Sequence, residues 1–383
     1  MSNLKLSAGN KMSDLISFNP NRLKFARKRR GLTIVALSSA LNITPKTLSN
    51  YENGKFEPKD LIDLIAEQLK FPKSFFFKDD IASLDETSVS FRSLSRMTAS
   101  VRDSALCAAQ IAIEFTTWIN NKFRLPQPCI PDLNDFDPET AAVTLRDEWA
   151  IGELSINNMV HMLESKGVRV FSLSERTLDM DAFSFWIDDQ PFVFLNTQKS
   201  VERSRFDAAH ELGHLVLHKH GTPLGKEAET QAQKFASAFL MPGRSVAARI
   251  PHSPSITLNS IINLKSIWKV AASALVRRMY DLNFLSEWIY RNLVIEMSKS
   301  GYLKNEPNAI KQRETSKLLP MVFEALRKEG ITKDDIAKDI CVFSDEIDSL
   351  VFGLAIIGLS GKSNKQSGVA SENSPKKYLR RVK

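Results

Sequence analysis

Residues 203–218 read RSRFDAAHELGHLVLH, and this run decides how the rest of the chain is read. In a helix turning about 100° per residue, set Phe206 at 0°. Ala209, Leu212, Gly213, Val216 and Leu217 then fall between about 240° and 20°, a continuous apolar face. His210, His214 and Glu211 fall between about 40° and 140°, off that face. One side of the helix thus suits a core and the other carries chemistry. Two imidazoles four residues apart can share one Zn²⁺, with Glu211 beside them to handle a metal-bound water. His218 lies about 12 Å along the axis from His210, too far to share an ion with it. It is read either as a helix-end histidine favoured by the macrodipole or as a candidate cleft contact.

A hydrolytic zinc site needs a third protein ligand and an open position. Downstream, residues 227–242 read EAETQAQKFASAFLMP, with two carboxylates at the start of a helical pattern. Setting Glu229 at 0° puts Ala232, Phe235, Ala236, Phe239 and Leu240 between about 240° and 20°. Glu229 therefore points inward with them, whereas Glu227 falls near 160° and faces solvent. A bare carboxylate among apolar residues is costly and a metal resolves that cost, so Glu229 is the expected third ligand. Upstream the period shifts from helical to alternating. Residues 167–171, 183–187 and 192–195 read as strands, with Asp188-Asp189-Gln190 as a turn. They predict a small antiparallel sheet feeding the histidine helix, with Phe192–Leu195 available to hold an extended substrate by edge pairing. Helical patterns over 97–123 and 139–166 make this body α+β.

The N-terminal residues 22–70 read as short helices. Arg22, Leu23, Phe25 and Ala26 open the first, which runs through Arg27, Lys28, Arg29 and Arg30 and stops at Gly31. Thr33 can cap a second, and Thr44-Pro45 starts a third that ends before Gly54. In the third, Leu48 and Tyr51 pack inward, leaving Lys46, Thr47, Ser49 and Asn50 largely outward. Exposed amide, hydroxyl and ammonium groups on such a helix suit major-groove reading, with Arg27–Arg30 as phosphate contacts.

The chain has 383 residues, 43% hydrophobic and 25% charged, which is globular composition and excludes wholesale disorder. No apolar run reaches the roughly 18–20 residues of a membrane span, and residues 1–18 lack the core of a secretory signal. Cys107, Cys129 and Cys341 are odd in number and far apart, so neither a disulfide framework nor a Cys-rich zinc site is expected, and a reducing cytoplasm is. The net charge of +8 is uneven: residues 19–70 hold ten Lys/Arg against five Asp/Glu, and residues 361–383 hold seven against one. A basic head on a balanced body suits a nucleic-acid partner. The final segment, rich in Ser, Asn and Lys, is expected to be disordered.

The stretch RLKFARKRRGLTIVALSSALNITPKTLSNYENGKFEP resembles the XRE helix-turn-helix family. One departure is Ile34, where that family commonly has Gln. The histidine helix with EAETQAQKFASAFLMP resembles the ImmA/IrrE family of zinc metallo-endopeptidases. That likeness extends through DAFSFWIDDQPFVFLN, LKSIWKVAASALVRRMYDLNFLSEWIYRNL and GYLKNEP. A small departure is Gln233, where Asn is common. The resemblance implies zinc on His210, His214 and Glu229, with Glu211 as general base. It covers roughly residues 19–357, as in fused XRE–ImmA/IrrE regulators. The implied organisation is an extension at 1–18, a mainly α helix-turn-helix domain at 19–78 and a linker with a long helix at 79–135. A zincin-like α+β peptidase domain at 136–290, a helical region at 291–360 and a basic tail at 361–383 follow. The implied partners are double-stranded DNA and a protein substrate of repressor type, with no membrane and with room for a homodimer. The implied setting is stress or mobile-element control. Two alternatives stay open: a transcription factor with a non-proteolytic zinc sensor, and the toxin or effector of a toxin–antitoxin or phage-defence pair.

Overall fold

The computed structural model describes residues 17–82, 84, 98–173, 180–219, 225–250, 256–355 and 380–381. Two compact units result, Met1–Ile81 and Ala82–Lys383.

The first unit is a small helical head: α1 (Pro20–Arg29), α2 (Ile34–Ala40), α3 (Pro45–Glu52), α4 (Ile62–Leu69) and a 3₁₀ turn at Lys73–Phe77. Each of the first three starts at a side-chain cap. Asn19 accepts from the Asn21 and Arg22 amides, Thr33 from Ala36 and Thr44 from Thr47. Leu23, Ala26, Leu37, Leu48, Ile65, Leu69 and Phe75 form its core. Inside that core Arg27 makes a two-pronged ion pair with Glu52, Nε to Oε1 at 2.6 Å and Nη2 to Oε2 at 2.9 Å. This pair ties α1 to α3.

The second unit holds helices around a three-stranded sheet. Its elements begin with α5 (Ala99–Asn120), β1 (Phe123–Arg124), α6 (Pro138–Glu148) and α7 (Met159–Ser165). Next come β2 (Arg169–Ser172), β3 (Ala182–Ile187), β4 (Gln190–Leu195), α8 (Val201–Leu217) and α9 (Lys226–Leu240). Then follow α10 (Gly243–Ala247), α11 (Leu258–Trp268), α12 (Ala272–Asp281), α13 (Glu287–Lys299), α14 (Leu318–Lys328), α15 (Lys333–Asp339), α16 (Ser344–Val351) and β5 (Arg380–Arg381). Among the described residues no helix is long and apolar enough to cross a membrane.

The sheet is mixed, not antiparallel throughout. β3 and β4 form the expected hairpin, turning at Asp188 with φ of 50°, but β2 pairs with β4 in parallel. The order is β2-β4-β3, so β4 is central and cannot pair with a substrate, and β3 stands at an edge. Alternation reports which face a residue takes and says nothing of strand order, which the crossing from β2 to β3 sets here. Cross-strand partners Phe183–Phe194 and Phe185–Phe192 stack on one face at 4.7 and 5.1 Å. Ser184, opposite Val193, takes the other face, toward α8.

The helices past residue 290 pack into this same unit. Glu164 at 4% exposure accepts from the Lys317 and Leu318 amides at 2.9 and 3.1 Å, and Thr197 Oγ1 donates to the Phe352 carbonyl at 3.0 Å. The segment expected to be a disordered tail lies outside the described residues, except that Arg380–Arg381 pairs antiparallel with Phe123–Arg124.

Candidate metal centre

Helix α8 starts at Ser200, whose side chain accepts from the Arg203 amide, and runs 17 residues before ending at His218. Its apolar face packs Ala209, Leu212, Gly213, Val216 and Leu217 into the core. Polar residues of the first turns anchor a distant segment. Glu202 accepts from the Ile310 amide at 2.7 Å and shares Lys265 with Glu306 at 3.5 and 3.2 Å, while Arg205 pairs with Glu314. These contacts fix the 302–316 stretch, part of which walls the cleft over the histidines.

Helix α9 crosses directly over Gly213. A β-carbon there would stand 3.0 Å from Phe235 Cδ1 and 3.2 Å from the Ala232 Cα. Only glycine lets the two backbones come this close without a shift. The close approach brings the first turn of α9, and with it Glu229, over the histidine pair. Glu229 Oε1 lies 3.3 Å from His214 Nε2, Glu229 Oε2 lies 3.7 Å from His210 Nε2, and the two Nε2 atoms are 3.1 Å apart. Ligand atoms of these three residues all lie within 4.8 Å of one another. Glu227 is exposed, and Glu229 is half-buried rather than enclosed by the core.

Tetrahedral zinc with arms of about 2.0–2.1 Å needs ligand atoms about 3.3–3.4 Å apart. The three observed separations bracket that value, and two imidazoles with one carboxylate are a donor set zinc accepts. The residues present therefore fit the metal. Electrostatics in the cluster follow from burial and proximity. Burial pushes His214 down to about 4, against the opposing pull of Glu229. Burial likewise disfavours charge on His210, but Glu229, Glu211 and Asp207 outweigh it and raise its pKa. Glu229 is driven well below the usual carboxylate range: its own burial opposes this, and the hydrogen bonds and charges of both histidines overcome it.

Glu211 sits at 3% exposure against the sheet, its Oε2 accepting from Ser184 Oγ at 2.6 Å. Sequence reasoning missed Ser184. The available signal was a lone hydroxyl between Phe183 and Phe185 in a buried strand. His218 does not line the cleft. Its Nδ1 lies 3.0 Å from His214 Nδ1, behind the ligand, because position i+4 from His214 continues the same stripe one turn further. Asp207, one turn before His210, does line the cleft. Its Oδ2 is buried without a partner, and burial raises this carboxyl to about 6 despite nearby Arg203, Lys199 and His210.

The cleft has a volume of ≈ 1340 Å³ and is walled by α8, α9, α12 and residues 302–306 and 309, with His210, Glu211 and Glu229 in its lining. Small-molecule sites run to about 300–1,000 Å³, so this one has room for a chain segment.

In the head, Lys46 is exposed, and Thr47, Ser49 and Asn50 are half-buried on α3. Thr47 Oγ1 lies 2.8 Å from Thr44 Oγ1, and Ser49 accepts from Asn53 Nδ2. The expected phosphate cluster does not hold together. Arg27 is spent on Glu52, Arg29 is 4% exposed, and Arg30 donates to the Leu69 and Lys70 carbonyls at 2.6 and 2.7 Å. Lys28 is half-buried. Arg27 and Arg29 are thus interior to the head and serve packing, while Lys28 and Arg30 are half-buried; a run of like charges in sequence does not reveal this.

Histidines at i and i+4 on a buried helix, a carboxylate from the next helix and a deep cleft beside them make a candidate metal site in the second unit, and the first unit is a small helical head. Comparison with known families agrees: residues 163–280 match the IrrE N-terminal-like domain, a peptidase family, and residues 21–77 match a helix-turn-helix domain. The chain thus contains a helix-turn-helix domain at residues 21–77 and an IrrE N-terminal-like domain at residues 163–280. No curated protein matches it significantly.

Proposed function

We propose that this chain is a DNA-binding regulator with zinc-dependent endopeptidase activity, acting in the cytoplasm on a repressor-type protein in stress or mobile-element control. The observation that carries this reading is the meeting of His210, His214 and Glu229 around one point beside a cleft whose lining includes His210, Glu229 and the buried Glu211. His210 Nε2, His214 Nε2 and a Glu229 oxygen would hold the ion. Bound there, zinc supplies a Lewis acid and a water that ionises near neutral pH. Glu211 would accept a proton from the attacking water and pass it to the leaving amine. Ser184 keeps its carboxylate in one orientation. Since β3 and not β4 is the edge strand, the extended substrate backbone is assigned to the outer edge of Ala182–Ile187. The head supplies address: Lys46, Thr47, Ser49 and Asn50 on α3 are assigned to base edges.

The test is co-expression of wild type and Glu211→Gln in the same cells, with comparison of new protein termini. Termini present with wild type and missing with the variant, at equal zinc content, support the reading. Identical termini in both, from homogeneous preparations, overturn it.

A further inference from the structure

Behind the metal-facing side of His214 runs a second set of contacts. His214 Nδ1 lies 3.0 Å from His218 Nδ1, and His218 Nε2 lies 2.9 Å from Gln231 Oε1. Gln231 stands two residues beyond Glu229 on α9, so one helix contributes a carboxylate to the front of His214 and an amide to the chain of contacts at its back.

We propose that Gln231 and His218 form a relay that fixes the tautomer of His214, making them positioning residues for the metal centre. The inference rests on the zinc reading above. An amide oxygen only accepts, so the proton on this side of His218 is on Nε2. A neutral His218 then has its lone pair on Nδ1. The 3.0 Å contact is a hydrogen bond only if His214 Nδ1 carries the proton. That leaves the His214 Nε2 lone pair facing His210 Nε2 and Glu229 Oε1. Turning the amide around would reverse every step: nitrogen would donate to His218 Nε2, His218 Nδ1 would donate to His214, and the proton would sit on His214 Nε2. That atom would then be closed to a metal. The two directions are inequivalent, and only the one with the amide oxygen on His218 leaves a ligand. Partners of this kind orient ligating histidines and raise their basicity, and their loss costs about ten- to hundredfold in metal affinity.

Two measurements on the full chain test the relay. In zinc-loaded protein, ¹⁵N resonances of labelled histidine should place the proton of His214 on Nδ1 and that of His218 on Nε2; in metal-free protein, where His214 Nε2 can instead donate to Glu229 Oε1 at 3.3 Å, the His218 proton should still be on Nε2. In Gln231→Leu the His218 preference should relax. A proton on His218 Nδ1 in wild type overturns the relay whether or not zinc binds. In chelator competition, His218→Phe and Gln231→Leu should lose about ten- to hundredfold in zinc affinity, while Gln231→Glu, which can only accept, should bind as tightly as wild type or more so. If Gln231→Glu fell as far as Gln231→Leu, or if neither His218→Phe nor Gln231→Leu fell, the contacts would be packing alone. A wild type that bound no zinc would instead defeat the metal reading, and the tautomer measurement would still judge the relay.

Discussion

Replacing Gly213 by alanine should separate the helix from the site it carries. Gly213 is in the interior of α8, where alanine by itself stabilises a helix by about 1 kcal/mol. Against this, the new methyl would stand 3.0 Å from Phe235 Cδ1, 3.2 Å from the Ala232 Cα and 3.3 Å from the Ala232 carbonyl. Comfortable carbon contacts are about 3.5–4.0 Å, so α9 must retreat by about half an ångström, and two of the three opposing atoms are backbone. Overpacking of this kind costs about 1–3 kcal/mol. The expected net change in metal-free protein is a loss of about 0–2 kcal/mol, the propensity gain set against the overpacking cost. Because Glu229 rides on α9, its oxygens move relative to His210 and His214 by more than the about 0.2 Å tolerance of a zinc site. Zinc affinity should fall at least about tenfold, roughly 1.4 kcal/mol, even where the fold survives. Urea denaturation in excess chelator reads the first quantity and chelator competition the second. A variant more stable by the full helix-propensity gain and unchanged in zinc affinity would refute the close-approach argument.

Arg27→Ala should cost the head about 3–5 kcal/mol by leaving Glu52 buried and unpaired, while Arg27→Met with Glu52→Leu should come back to within about 1–2 kcal/mol of wild type; thermal melts of the full chain decide, and a mild Arg27→Ala would contradict the buried pair. Asn50→Ala should leave the head folded but flatten its preference among duplex sequences in gel shifts; undiminished discrimination would remove base reading from that side chain. Asp207, raised by burial to about 6 from 3.8, makes the folded state the better proton binder. Its contribution to metal-free stability should therefore fall by about 2–3 kcal/mol as pH climbs from about 4 to 6, against a rise from His214 over the same range, so Asp207→Asn should gain on wild type by that amount above pH 6 and by nothing below pH 4. Equal slopes for wild type and Asp207→Asn in chemical denaturation would show that the carboxyl is not desolvated.

What could be read from the sequence was local. The caps at Thr33 and Thr44, the α8 face that separates Leu212 and Val216 from His210 and His214, and the inward turn of Glu229 all follow from rules between near neighbours in the chain. The alternation of Phe183–Ile187 and the Asp188 turn gave the hairpin by the same kind of short-range rule. Strand order escaped, because β2 and β4 have the same alternation whether they run parallel or antiparallel. So did Ser184 on Glu211, 27 residues apart, and Arg27 on Glu52, 25 apart: a hydrogen bond between distant residues leaves no period in the sequence. His218 shows the boundary most clearly. Its position on the histidine stripe was fixed by spacing, but whether that stripe faced the cleft or the back of His214 depended on where α9 came to rest. Gly213 marks where that happened, since the absence of one methyl group there sets the distance between two helices and so brings Glu229 to His214 and Gln231 to His218.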